Sequence, residues 1–150
     1  AKCGCIELSR RFFDSLTKRH LPLWTAMISG YGVHGRGSEA LVLFEEMQRL
    51  GLKPDHLTFI GVLMACSHAG LVREGMEYFN YMRGLYGIEP KLEHYTCVVD
   101  MLARAGQLSD AFKLVQNMPV EADSKIWGSL VSLCIIHGDM LLGRIAAQNC

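Results

Sequence analysis

A chain of 150 residues that is 50% apolar can bury a real core, although composition by itself leaves the fold open. Its 15 lysines and arginines balance 15 aspartates and glutamates, which excludes the strongly basic signature of many nucleic-acid binders, so any polyanionic partner would need local positive charge. No apolar run approaches the roughly 20 residues needed to span a bilayer, so a soluble chain with no membrane partner is expected.

Self-similarity organises everything else. Glycine-led segments begin at Gly4, Gly35, Gly70, Gly106 and Gly138, which lie 31, 35, 36 and 32 residues apart. Five positions after each glycine stands a small residue: Ser9, Ala40, Gly75, Ala111 and Gly143. A small side chain there lets two helices approach closely. Apolar residues follow at helical spacing, as in Ala40, Leu43, Phe44 and Met47, then Tyr78, Phe79 and Met82, then Ala111, Leu114, Val115 and Met118.

Ahead of each of the last four glycines the pattern predicts a complementary helix that opens on an aromatic residue. Their apolar sets are Trp24/Met27/Ile28/Tyr31, Phe59/Val62/Leu63/Cys66, Tyr95/Val98/Val99/Leu102 and Trp127/Leu130/Val131/Cys134. The helical phase of the four aromatics points them into the core rather than toward stacked bases. Glycine suits each stop because the residue after a helix end commonly adopts left-handed geometry. Ser38 and Ser109 are expected to cap two of the second helices. Those helices should end near Pro54, Pro90 and Pro119, which the helical ladder cannot pass. A helix-turn-helix unit of this kind cannot bury its faces alone, and stacked copies bury them in a curved superhelix.

The six cysteines, Cys3, Cys5, Cys66, Cys97, Cys134 and Cys150, fall mostly within apolar helical patterns and form no C-x-x-C pair. Buried free thiols, in a reducing compartment, are the expected state.

Three stretches carry a family likeness: Trp24 to Tyr31 (WTAMISGY), Thr58 to Val72 (TFIGVLMACSHAGLV) and His94 to Gly106 (HYTCVVDMLARAG). They resemble the PLS class of plant pentatricopeptide-repeat (PPR) proteins, and the likeness covers essentially the whole chain. It implies an all-α fold, a right-handed α-α superhelix of helix-turn-helix repeats. Parsed in that register, residues 1–20 are the end of a short repeat, 21–55 a standard repeat, 56–91 a long repeat, 92–123 a short repeat, and 124–150 the start of an E-type extension. The long unit gains a residue between Met82 and Gly87, and the short unit replaces the Gly-x-x-Pro linker with Met118-Pro119. Both ends read as cuts through a longer array, with any organellar transit peptide outside these residues.

The resemblance further implies a module of an organellar C-to-U RNA-editing factor, in mitochondrion or chloroplast, that binds single-stranded RNA at about one base per repeat. The family's reading positions are the fifth and last of each unit, here Thr25 with Asp55 and Thr96 with Asp123. The family associates the first combination with guanine, whose Watson–Crick edge offers N–H donors to a carboxylate. Pro22 would pack against the base. Glu93 replaces that packing residue in the short repeat, and the long repeat offers Ile60 and Lys91, of which isoleucine makes no base-edge hydrogen bond. Long units are associated in the family with multiple organellar RNA-editing factor proteins, so protein partners, including a deaminase, are the alternative function.

No catalytic activity is expected from these residues. A zinc deaminase needs H-x-E and P-C-x-x-C. Neither occurs, and His20, His34, His56, His68, His94 and His137 are scattered without a glutamate two residues on. Cys3 and Cys5 are too close for the usual zinc spacing, and Glu74 and Asp100 fall in different repeats with no nucleophile beside them. No cofactor or metal is implied, and deamination would require residues beyond Cys150 or a separate protein. A tetratricopeptide-type solenoid would explain the neutral charge, but the spacing is variable and the W-x2-L-G-x2-Y signature is missing.

Overall fold

The computed structural model describes residues 2–150, with side chains from Gly4 onward, so Cys3 lies outside the described side chains. Among the described residues there are nine helices and no strand: α1 (Lys2–Ser15), α2 (Leu21–Val33), α3 (Gly37–Arg49), α4 (His56–Ala69), α5 (Val72–Gly84), α6 (Leu92–Arg104), α7 (Leu108–Asn117), α8 (Ser124–Ile136) and α9 (Met140–Gln148). The chain is an all-α solenoid. Helices α2, α4, α6 and α8 pack in succession on one another, while α3, α5, α7 and α9 each pack on the first helix of their own pair. Adjacent second helices barely meet, so the stack curves with the first helices on its inner side.

Glycine makes the turns. Gly35, Gly70, Gly106 and Gly138 all have φ between 72° and 81°, a left-handed conformation that costs glycine little. The next residue in each case donates its N–H back across the turn, from Arg36 to Tyr31 O, Leu71 to Cys66 O, Gln107 to Leu102 O and Asp139 to Cys134 O, at 2.8–2.9 Å. This closure starts the following helix almost at once. It also corrects the caps expected at Ser38 and Ser109: α3 and α7 already begin at Gly37 and Leu108, so both serines sit inside the first turn.

The first helices likewise start three residues before their aromatics, at Leu21, His56, Leu92 and Ser124. The aromatic marks the first side chain aimed at the core, one turn in. Trp24, Phe59 and Tyr95 are buried as their phase requires, and Trp127 is half-buried against the same core. The extra residue of the α4/α5 pair is absorbed after α5. There Ile88 N–H reaches Met82 O at 2.8 Å, six residues back, where the α2/α3 pair closes Leu52 N–H on Met47 O, five back, at 3.1 Å.

Small residues set the spacing between helices. Ala40 and Ala111 are fully buried, and a Cβ added at Gly75 would meet the Met101 thioether. Ser9 differs: α1 is the first of the described helices, and Ser9 is exposed. A tighter approach occurs at Gly37, where an added Cβ would lie 2.5 Å from Ala69 Cβ and 2.8 Å from the Ala65 carbonyl oxygen. A carbonyl inside α4 cannot swing aside as a methionine can. Gly37→Ala is therefore expected to destabilise the chain by about 1–3 kcal/mol through overpacking, despite alanine's better helix propensity, measured as a lower urea midpoint.

The thiols divide. Cys66 and Cys134 are buried and Cys97 half-buried, but Cys5 and Cys150 are exposed, contrary to the expectation of general burial. Burial pushes the Cys66 thiol up to about 12 and Cys97 up to about 11, with nearby carboxylates adding to both, which leaves them unreactive protonated thiols. All five described cysteines are free.

Candidate functional site

The first helices run parallel, and side-chain contacts give the register. Thr25 of α2 meets Thr58 of α4, a Cβ on Gly61 of α4 would meet Ser29 of α2, and one on Gly32 of α2 would meet Ala65 of α4. Their N-terminal ends therefore form one rim. Thr25 lies in the second turn of α2, half-buried. Pro22 sits one turn earlier on the same face, in the first turn of α2, where its missing N–H costs nothing, and is exposed.

Asp55 is the N-cap of α4. Its Oδ1 accepts the Thr58 N–H at 2.9 Å and the Thr58 hydroxyl at 2.9 Å, while the Asp55 N–H donates to Thr58 Oγ1 at 3.2 Å. Burial would raise the Asp55 carboxyl, but the hydrogen bonds from Thr58 outweigh it and hold the group below its ordinary value. Thr58 is itself fully buried, and its hydroxyl lies 3.0 Å from that of Thr25. Thr25 and Asp55, thirty residues apart, are thus tied into one hydrogen-bonded chain through Thr58.

Thr96 and Asp123 share no such link. Thr96 turns its hydroxyl back onto Leu92 O at 2.8 Å, and Asp123 caps α8 through the Ile126 N–H at 3.0 Å. The residue equivalent to Thr58 is Ile126, which has no hydroxyl to bridge them. At the α4–α6 junction Ile60 is half-buried and Lys91 exposed, and Glu93 in the first turn of α6 is exposed at the position matching Pro22.

Two polar features escaped the repeat pattern. His94 occupies at α6 the place Thr58 takes at α4: its Nδ1 accepts the Lys91 N–H at 3.0 Å, so Nε2 carries the proton it donates to His56 O at 2.8 Å. Burial lowers the His94 value below 6.5, the favourable bond to His56 only partly opposing it. The fold prefers neutral His94, so its contribution is fully present above pH about 6.5 and is lost as pH falls below that value. Denaturant midpoints should accordingly decline from pH 7 to pH 5, and His94→Gln should flatten that decline.

The second feature is Asp100, which joins three first helices. It accepts Ser67 Oγ of α4 at 2.8 Å, Ser129 Oγ of α8 at 3.3 Å and Arg104 Nε of α6 at 2.8 Å. Spent in this way, Asp100 is a structural junction. At the rim, exposed Lys53, Lys91 and Lys125 are offset by exposed Glu93 and Glu121, so the local charge stays near balance. No group of three or more histidine, cysteine or acidic side chains stands ready for a metal among the described residues.

Comparison with known proteins fits this geometry. Models of the PPR repeat family match residues 19–68, and PPR repeat models match residues 58–85 and 93–121. The chain belongs to the pentatricopeptide-repeat family. Pentatricopeptide repeat-containing protein DOT4, chloroplastic, of Arabidopsis thaliana is 47% identical over 149 residues, which is 99% of this chain and 17% of that protein. A second Arabidopsis thaliana PPR protein, named as mitochondrial, is 49% identical over 148 residues, 99% of this chain and 22% of its own length. The chain thus spans about a fifth of the relatives it matches. The crystal structure of maize PPR10 superposes with a TM-score of 0.83 at 22% identity, covering 99% of this chain and 22% of PPR10. PPR10 in complex with an 18-nt psaJ RNA element gives 0.80 at 18% identity, over 88% of this chain and 20% of PPR10.

Proposed function

We propose that this PPR segment binds single-stranded RNA sequence-selectively as part of an organellar C-to-U editing factor of the PLS class, reading about one base per repeat. Thr25 and Asp55 read, and Pro22 packs beside the base. The observation that carries this reading is the Thr25–Thr58–Asp55 chain, which holds a hydroxyl and a carboxylate together on the inner, first-helix side of the solenoid. Relatives named as chloroplastic and mitochondrial support an organellar setting. In this reading residues 1–20, 21–55, 56–91 and 92–123 are short, standard, long and short units, and 124–150 open an E-type extension. Thr96 and Asp123 form a second, looser reading pair.

Fluorescence anisotropy of the chain against short RNAs that differ at one base tests this. Near-balanced charge predicts weak binding at physiological salt, with guanine favoured at a single position. Tight binding that ignores sequence, or equal affinity for all four bases, would refute it.

A protein-recruiting role, toward a deaminase or a multiple organellar RNA-editing factor protein, draws on a different observation. The α4/α5 unit combines Ile60 with Lys91 and exposes Leu57, Tyr81 and Leu85. That unit suits a protein partner better than a base. Both roles can coexist on one solenoid.

A further inference from the structure

We propose that Thr58 is a specificity-determining positioning residue: it fixes the direction of the Thr25 hydroxyl so that Thr25 and Asp55 together present only acceptors, selecting a base edge with two adjacent N–H donors. This rests on the RNA-binding reading above and adds a residue to it that would not touch the base.

The argument is one of proton accounting. A threonine hydroxyl has one proton and two lone pairs. Asp55, held ionised, can only accept, so the Thr58 proton goes to Asp55 Oδ1 at 2.9 Å. One Thr58 lone pair takes the Asp55 N–H at 3.2 Å. The remaining lone pair faces Thr25 Oγ1 at 3.0 Å, and that contact is a hydrogen bond only if Thr25 donates. Thr58 is fully buried, so no water competes for these positions.

Two consequences reach the groove. Thr25, its proton committed inward, offers lone pairs outward. Asp55, with Oδ1 filled by the Thr58 N–H and O–H, has Oδ2 left over as a second acceptor. Guanine presents N1–H and an N2 amino group side by side, whereas adenine presents a ring acceptor at N1 that would face a lone pair. Elsewhere along the rim the equivalent positions hold Leu23, His94 and Ile126, none of which can hand a hydroxyl proton to a capping aspartate. The device belongs to one junction.

The test compares the full chain with Thr58→Val, Thr58→Ser and Asp55→Asn on RNAs carrying each base at the sensitive position, with melting recorded for every variant. Valine keeps the shape and frees the Thr25 hydroxyl, so guanine-over-adenine preference should fall roughly fivefold or more. Serine should restore it. If Asp55→Asn shifts preference while Thr58→Val does not, Thr58 is a cap only and the proposal fails although the RNA reading stands. If neither variant shifts it, the reading fails and takes the proposal with it. Should the valine variant not fold, NMR of the unmodified chain decides. A Thr25 hydroxyl proton protected from exchange and close to the Thr58 side chain supports the proposal, and one exchanging freely with water overturns it.

Discussion

Replacing Phe44 with alanine is expected to cost about 3–5 kcal/mol, the largest stability loss of any single substitution considered. Phe44 of α3 is fully buried where α3, α4 and α5 meet. Its ring centroid lies 5.4 Å from that of Phe59, 5.2 Å from Tyr78 and 6.3 Å from Tyr86, and Phe59 and Tyr86 pack edge to face at 4.9 Å. These rings come from three helices and the loop after α5, and Tyr86 is also tied by its hydroxyl to Gln48 Oε1 at 2.7 Å. With so many fixed neighbours the hole cannot collapse. The loss is comparable to the total stability of many domains. Because a solenoid is held by nearest-neighbour interfaces, damage should begin locally. Hydrogen exchange should show α3, α4 and α5 losing protection before α7 and α8, alongside a lower urea midpoint. Leu141→Ala at a strongly exposed site should shift that midpoint by no more than about 0.5 kcal/mol.

The contrast between these two leucine-sized and larger side chains also shows what the amino-acid pattern can and cannot convey. Phe44, Phe59 and Trp24 fall on strict helical spacing, so their burial could be read directly, as could the left-handed glycines that stop the first helices. The start of each helix could not. Trp24 announces the first inward-facing side chain, whereas the helix begins where a capping residue ends the extended chain, and among the described first helices Asp55 and Asp123 are the aspartates whose side chains mark such a place. Ser38 and Ser109 looked like caps because serine favours that role, but the backbone bond across each glycine turn had already started the next helix.

Contacts between repeats were the least legible. The Asp55-x-x-Thr58 spacing is a capping-box pattern visible in one dimension. That its hydroxyl also meets Thr25, thirty-three residues earlier, follows only from the parallel seating of α2 on α4. The same seating brings Gly37 against Ala65 and Ala69, and Ser67 and Ser129 onto Asp100. Each pair is about one repeat apart, so the repeat period limits the candidates, yet side-chain direction decides among them. This is also why Thr96 and Asp123, identical to Thr25 and Asp55 as a residue pair, differ in arrangement: Ile126 replaces the bridging threonine.

Asp55→Asn should move preference at one RNA position from guanine toward adenine, by about 1–3 kcal/mol on the scale of direct base readout. Asparagine caps helices as well as aspartate does, and its carbonyl oxygen can keep the Thr58 N–H and O–H now held by Oδ1. The amide nitrogen then stands where Oδ2 was, and a donor replaces an acceptor. Guanine N1–H would face another N–H, an unpaired donor in the groove, while adenine N1 would gain a partner. Folding should therefore be nearly unchanged while the order of the two purines inverts, a separation that few substitutions allow. Competition binding with guanine- and adenine-bearing RNAs, with melting of both proteins as the control, measures it. An inverted order with equal melting temperatures would place Asp55 at the base edge. An unchanged order would confine it to capping α4.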